Sequence, residues 1–296
     1  MTRRDIAFAL LISAVWGLNF VAVKFVVEDF PPLLSNALRF SLVILFFLPF
    51  LRIVPGRMVA ILIAAFTLGV LHFGAVFTGM SLAGGVGGVA IASQLSVPFS
   101  TLLAVLFLHE SVGWKRIAGI ALSFTGVLVL SFDPIVFEYW QGLLVIMLAA
   151  LLYAISTILM RKLKDVRAAT LQGWVAVAGV IGSLVFSMVF EEGQVAAISN
   201  ASGLAWAGIA YSAIGSSVLG HGGANYLFRK YEVSTVSPYF LAVPFFAVLG
   251  AVVILGEDVS FKMIAGGFLT VAGILIVTLR NKAKASKVAV LPEVKA

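Results

Sequence analysis

Residues 95–130, LSVPFSTLLAVLFLHESVGWKRIAGIALSFTGVLVL, decide how this chain folds, because most of the stretch returns at 241–277 as LAVPFFAVLGAVVILGEDVSFKMIAGGFLTVAGILIV. Leu95, Val97, Pro98 and Phe99 fall on Leu241, Val243, Pro244 and Phe245 at an offset of 146. After one inserted residue, Glu110, Lys115, Gly119 and Gly126 fall on Glu257, Lys262, Gly266 and Gly273 at 147. Apolar coincidences are cheap in so apolar a chain, so the Pro-Phe, the Glu, the Lys and the two Gly carry the weight. Each copy reads as an apolar helix entered near a proline, a short polar turn, and a second, glycine-bearing apolar helix. The chain is a duplication.

Composition identifies the solvent. The chain is 61% hydrophobic and 11% charged, with a mean hydropathy of +1.12, against ~45–50% apolar and ~25% charged in soluble domains. This is an integral membrane protein. Its net charge of +7 comes from basic residues scattered between apolar runs with no continuous patch, which argues for membrane orientation and against nucleic acid. No cysteine is present, which removes disulfides and thiolate chemistry. The first apolar run, behind Arg3 and Arg4, is too long for a signal peptide and lacks a small-residue cleavage site, so it reads as a retained span.

Ten runs approach the ~20 residues that cross a ~30 Å hydrocarbon core. They cover 5–27, 33–51, 58–80, 86–108, 116–132, 140–160, 169–190, 203–228, 234–255 and 262–280. With the N terminus inside, the inner segments hold seventeen basic residues: Arg3, Arg4, Arg52, Arg57, Lys115, Arg116, Arg161, Lys162, Lys164, Arg167, Arg229, Lys230 and five from Arg280 onward. Only Lys24, Arg39 and Lys262 remain outside. That bias predicts both termini in the cytoplasm, and miscounting one span would scramble it.

The duplication thereby acquires a geometry. The first Glu-x-Val turn lies in an inner loop and the second in an outer one, so five-helix halves at residues 1–135 and 136–281 stand in opposite orientations, followed by a basic tail at 282–296 expected to be disordered. Trp16, Asn19, Phe20 and Lys24 lie over Tyr153, Ser156, Thr157 and Arg161 at an offset of 137, extending the match to the first helix of each half. Inverted repeats predict alternating access, with substrate near the midplane where the halves meet.

Ten spans in two such halves, each with PF, an apolar helix, a Glu-containing turn (HESVGWKRIAG, GEDVSFKMIAG) and a Gly-bearing helix, resemble the EamA repeat of the drug/metabolite transporter superfamily. The opening WGLNFVAVKF is similar to bacterial amino-acid and metabolite exporters, most of all YddG-type aromatic amino-acid exporters. The resemblance implies a bacterial inner-membrane exporter of small metabolites whose central cavity is lined by helices 1, 3, 4, 6, 8 and 9.

Polar groups inside hydrocarbon are costly enough to be placed deliberately. Span 8 carries Ser217, His221 and Asn225 four residues apart, on one helical face. Span 1 offers Trp16 and Asn19, span 6 Tyr153 and Ser156, span 3 His72, span 4 Gln94, and span 9 Tyr239. These nine (Trp16, Asn19, His72, Gln94, Tyr153, Ser156, His221, Asn225, Tyr239) are the candidate substrate-binding set. The bland alternative for each is structural: Ser, Thr and Asn in membrane helices often bond across helices for ~0.6 kcal/mol, and a neutral His can satisfy itself on one carbonyl. Pro98 and Pro244, in matched positions, are expected to shape the cavity or act as hinges.

Other chemistry finds no support. The GGVGG at 84–88 follows no strand, so it is an external turn and not a phosphate loop. The three histidines lack metal-ligand spacing, and no nucleophile is paired with a base. The chain reads as a non-enzyme with no cofactor or metal. An uncharged polar cavity walled by Trp16, Tyr153, Tyr226, Tyr239 and Phe suits net-neutral amino acids. A broad drug or organic-cation exporter is the alternative, since ring faces also hold cations, and a non-transporting membrane enzyme or scaffold is a third reading. The sequence does not set the oligomeric state, and a monomer is compatible with it. With every Asp and Glu in a loop, a tail or a span end, transport is expected to be facilitated diffusion, or at most dependent on His72 and His221.

Overall fold

The computed structural model describes the backbone of residues 1–108, 113–231 and 233–289. Among them, ten helices are long and apolar enough to cross a membrane: α1 (Arg3–Asp29), α2 (Pro32–Phe50), α3 (Met58–Ser81), α4 (Val86–Phe107), α5 (Trp114–Ser131), α6 (Trp140–Arg161), α7 (Ala168–Phe190), α8 (Gly203–Lys230), α9 (Ser237–Leu255) and α10 (Phe261–Leu279). Every end lies within three residues of its expected place, because the punctuation is chemical. Pro32 opens α2, the Ser202 hydroxyl caps α8 by accepting from the Ala205 N–H at 3.1 Å, and Gly256 closes α9 in the left-handed region at φ 69°. Of the tail expected at 282–296, residues 290–296 lie outside the described residues. The helix begun by α10 runs on through Ala289, since an Ala- and Lys-rich segment with no breaker before Pro292 favours helix.

Inverted symmetry is visible where α5 packs on α10. A side chain on Gly119 would strike the Gly273 carbonyl, and one on Gly126 the Gly266 carbonyl. Gly119 and Gly266 are mates at the offset of 147, as are Gly126 and Gly273, so each contact maps onto the other. Ser123 and Thr270, mates as well, exchange long hydroxyl-to-carbonyl contacts of 3.4 Å in both directions. Helices with this little side chain between them approach at backbone distance, where dispersion and weak polar contacts replace the hydrophobic effect that lipid cannot supply.

Because of the inversion, helices of one half dock on the other. Helix α1 packs against α8 and α9, while α6 packs against α3 and α4. Helices α2 and α7 pack on each other and flank both sets. Call the face at which α1 begins and α10 ends the terminal face. At the opposite face, loop carboxylates cap helix N termini across the halves. Glu191 accepts from the N–H groups of Leu33 and Leu34 at 2.7 and 3.1 Å, Glu257 from those of Val86 and Gly87 at 2.7 and 3.3 Å, and Asp29 from Ser202 at 2.7 Å. A carboxylate against the unsatisfied N–H groups and positive dipole end of a helix is a favourable arrangement. Glu110, the sequence mate of Glu257, lies outside the described residues.

The two helix sets touch unequally. In the opposite half, 73–81 and 86–93 pack against α1, and 86–93 also packs against 243–255. In the terminal half, 221–242 makes no comparable packing with 58–65, 96–108 or α6 among the described residues. The bundle is shut towards the opposite face and parted towards the terminal one.

Candidate functional site

Four helices lose regularity at the depth where the sets meet. Helix α3 contains a π-helical stretch at Phe66–His72, and α8 one at Tyr211–Gly220. Both close in the same way: Phe73 N–H donates to the Leu68 carbonyl and His221 N–H to that of Ser216, pairs related by one offset (221 − 73 = 216 − 68 = 148). Helix α4 is interrupted at Gln94–Leu95, ahead of Pro98. Helix α9 begins as the 3-10 turn Ser237–Ala242, ahead of Pro244. Val97 N–H donates to the Gln94 carbonyl and Val243 N–H to the Phe240 carbonyl, again as mates at 146. Pro98 and Pro244 have no N–H to continue the ladder, so both helices restart at that point. Irregular backbone at membrane depth is tolerated where it is enclosed by protein or lines a cavity.

Onto this frame the halves bring two matched pairs of rings. Trp16 of α1 lies against His221 of α8, ring centres 5.2 Å apart, and Tyr153 of α6 against His72 of α3 at 5.1 Å. Trp16 and Tyr153 are the mates found at the offset of 137. The pairs are secured differently. Trp16 Nε1 donates to the Ser216 carbonyl at 3.1 Å, and the indole also meets Phe240 at 4.9 Å. His72 Nδ1 lies 2.8 Å from the Ala149 carbonyl, the bond that fixes the ring and leaves Nε2 for other work. His221 makes no hydrogen bond among the described residues, although its ring is only partly covered. Tyr153 lies on the side of α6 away from the exposed Leu144 and Leu148, deep in the bundle, yet keeps 38% of its surface accessible. An accessible side chain on an interior face marks a cavity.

The remaining candidates divide. Asn19 accepts from Ser212 Oγ at 2.7 Å, tying α1 to α8. Gln94 is partly exposed at the break in α4, with no hydrogen bond to its side chain among the described residues. Tyr239 packs against the same buried cluster as Trp16, and its carbonyl accepts from Ser13 at 3.0 Å. Ser156 is 1% exposed and donates to the Tyr153 carbonyl of its own helix at 2.7 Å. It therefore joins no pocket here. Asn225 lies on helix 221–230, but its side chain is outside the described residues.

Sequence reasoning passed over the polar core behind the rings. Arg39 of α2 is 2% exposed, donates to Ser217 of α8 at 2.8 Å, and lies 4.0 Å over the ring of Phe73 of α3. Ser217 donates onward to the Ser212 carbonyl at 3.0 Å, so one chain of contacts runs from α2 through α8 to Asn19 on α1. Asn36, one turn earlier, donates to the Gly69 carbonyl within the π-helical stretch and to Ser183 of α7, both at 2.8 Å. The signal was available: a charge inside an apolar run is a functional hypothesis by default. A cavity of about 250 Å³ lies at the opposite face, beside Glu257, Gly84 and Tyr139, and none of the ring-pair residues lines it.

Comparison with known proteins agrees with the fold. The EamA-like transporter family model matches residues 4–132 and 140–279, and the chain belongs to that family. It is 28% identical over 93% of its length to a protein of Salmonella typhimurium named "Probable amino-acid metabolite efflux pump", covering 95% of that relative. An Escherichia coli protein of the same name is 27% identical at the same coverage. A "Probable terminal-alkyne amino-acid exporter" of Streptantibioticus cattleyicolor is 26% identical over 66% of this chain and 65% of its own. One solved structure superposes with a TM-score of 0.63 at 17% identity, covering 96% of this chain and 99% of that one, and shows the fold alone. The protein is a multi-pass membrane protein of a family of small-molecule transporters.

Proposed function

We propose that the protein exports net-neutral amino acids and similar small metabolites across the bacterial inner membrane by alternating access, with its terminal face in the cytoplasm. The observation that carries this reading is the pair of aromatic–histidine contacts, one from each half, standing in four helices broken at matched depth. Freed carbonyls at the breaks accept from an ammonium group, ring nitrogens and amide groups donate to a carboxylate, and Trp16 and Tyr153 wall the side chain. Packing that closes the opposite face while the terminal face parts is the inward-open member of an alternating pair. Basic residues concentrated on the terminal side fit a cytoplasmic location. The names of the relatives support the substrate class.

Counterflow of labelled amino acids in proteoliposomes holding only this protein is the test. Saturable exchange, lost in Trp16→Ala and His221→Ala, is expected; flux no higher than in protein-free vesicles overturns the reading. Exchange of organic cations with none of amino acids would instead establish the drug-exporter reading. Transport is expected to run downhill without a proton gradient, since among the described residues no carboxylate stands at depth in the spans. Orientation has its own check. The chain has no cysteine, so Lys164→Cys gives a single label site, and reaction with an impermeant thiol reagent in whole cells would place the terminal face outside.

A further inference from the structure

Arg39 has no counter-ion. Among the described residues no carboxylate forms an ion pair with it, although it is 2% exposed. Its hydrogen bond goes to the neutral Ser217 hydroxyl, its flat face rests on Phe73 and, more distantly at 5.1 Å, Phe40, and its Nε has no hydrogen-bond partner among the described residues. A guanidinium remains protonated in a protein, so a full positive charge stands in the membrane-embedded core with its desolvation only partly offset. Such charges in folded proteins are paired, or they wait for a partner.

Its position says what that partner meets. Arg39 touches one helix of each set, α8 through Ser217 and α3 through Phe73. Phe73 follows His72 directly in α3, and Ser217 lies four residues before His221 in α8. The guanidinium therefore stands one layer behind the cavity wall, between the two ring pairs. Low dielectric carries its field into the cavity, and no acidic side chain within the described core opposes it.

We infer that Arg39 is the specificity-determining charge of the cavity, which selects substrates bearing a carboxylate and rejects amines that lack one. This rests on the amino-acid export reading and deepens it, by making the missing counter-ion the substrate's own carboxylate. A zwitterion places its carboxylate towards Arg39 and its ammonium towards the freed carbonyls, whereas an organic cation brings only the charge that Arg39 repels.

The test compares each amino acid with its decarboxylated amine, such as phenylalanine with 2-phenylethylamine and leucine with isopentylamine, by counterflow and competition in proteoliposomes. Wild-type protein should prefer the amino acid by about 10- to 100-fold, the effect of one charge pair at ~7 Å with an effective dielectric of ~20. Arg39→Gln should abolish the preference, while Arg39→Lys retains most of it. Should Arg39→Gln not fold, Ser217→Asp decides the matter, because it keeps the arginine and supplies the missing counter-ion, and it should also abolish the preference. Equal transport of acid and amine by wild type, or a preference intact in a folded Arg39→Gln or Ser217→Asp protein, overturns the inference and leaves amino-acid export standing. Transport of neither compound overturns both.

Discussion

The two halves of this protein share a frame and differ in chemistry, and α2 set beside α7 shows where. Both flank the central helices and pack on one another, yet α2 carries Asn36 and Arg39 into the core while α7 has no charged residue along Ala168–Phe190. The ring pairs repeat the lesson. Trp16 is held by a hydrogen bond and leaves its histidine free, whereas Tyr153 leaves its own side chain accessible beside a histidine that is itself tied down. Even the histidines are one register apart, since the backbone mate of His221 is Phe73, the ring under Arg39. Inverted symmetry supplies the hinge geometry of transport. On the proposed function, broken symmetry supplies recognition, because one amino acid has two unlike ends to be held.

The sharpest way to break that comparison is to remove the two mates in turn. Trp16→Ala should cut exchange by roughly 100-fold, as it deletes a partly buried indole, its hydrogen bond and two ring contacts. Tyr153→Ala, which removes a partly free ring, should cost about a tenth of that loss in rate. Equal losses in counterflow would mean that the cavity is used symmetrically.

The shared frame can be tested through its contact at backbone distance. Gly126→Leu and its mate Gly273→Leu should destabilise alike, by roughly 3 kcal/mol, since each side chain is forced into the facing helix at Gly266 or Gly119. Thermal unfolding in detergent measures this, and one tolerated while the other unfolds would deny the isologous packing.

The histidines should separate stability from transport. His72→Phe removes the bond to the Ala149 carbonyl and is expected to lose about 1 kcal/mol. His221→Phe should leave stability near wild type and impair exchange, because no described residue depends on its ring nitrogens. A reversed pattern would exchange their roles.

The smallest expected effect belongs to the face-closing carboxylates. Glu257→Gln keeps the shape but weakens two charge-assisted bonds to Val86 and Gly87, which should cost about 1 kcal/mol and open the opposite face more often. Faster labelling of a Gly85→Cys reporter at that face would register the opening.

Much was decided by the sequence alone. Hydrophobic length, Pro and Gly punctuation and the duplicated Glu turn were enough for ten spans, their ends and their inversion, because in lipid the backbone must satisfy itself and helix length is set by bilayer thickness. The pairing of Trp16 with Tyr153 by register was legible too. What could not be read is which polar residues face one another, since apolar periodicity carries no information when lipid and core are both apolar. So Ser156 looked like a cavity residue and bonds its own helix, while Arg39 looked like a stray charge and sits between the helix sets. Only the tertiary structure sets α2 beside both α3 and α8: Arg39 lies 34 positions from Phe73 within its own half and 178 from Ser217 in the other, separations that no helical periodicity reports.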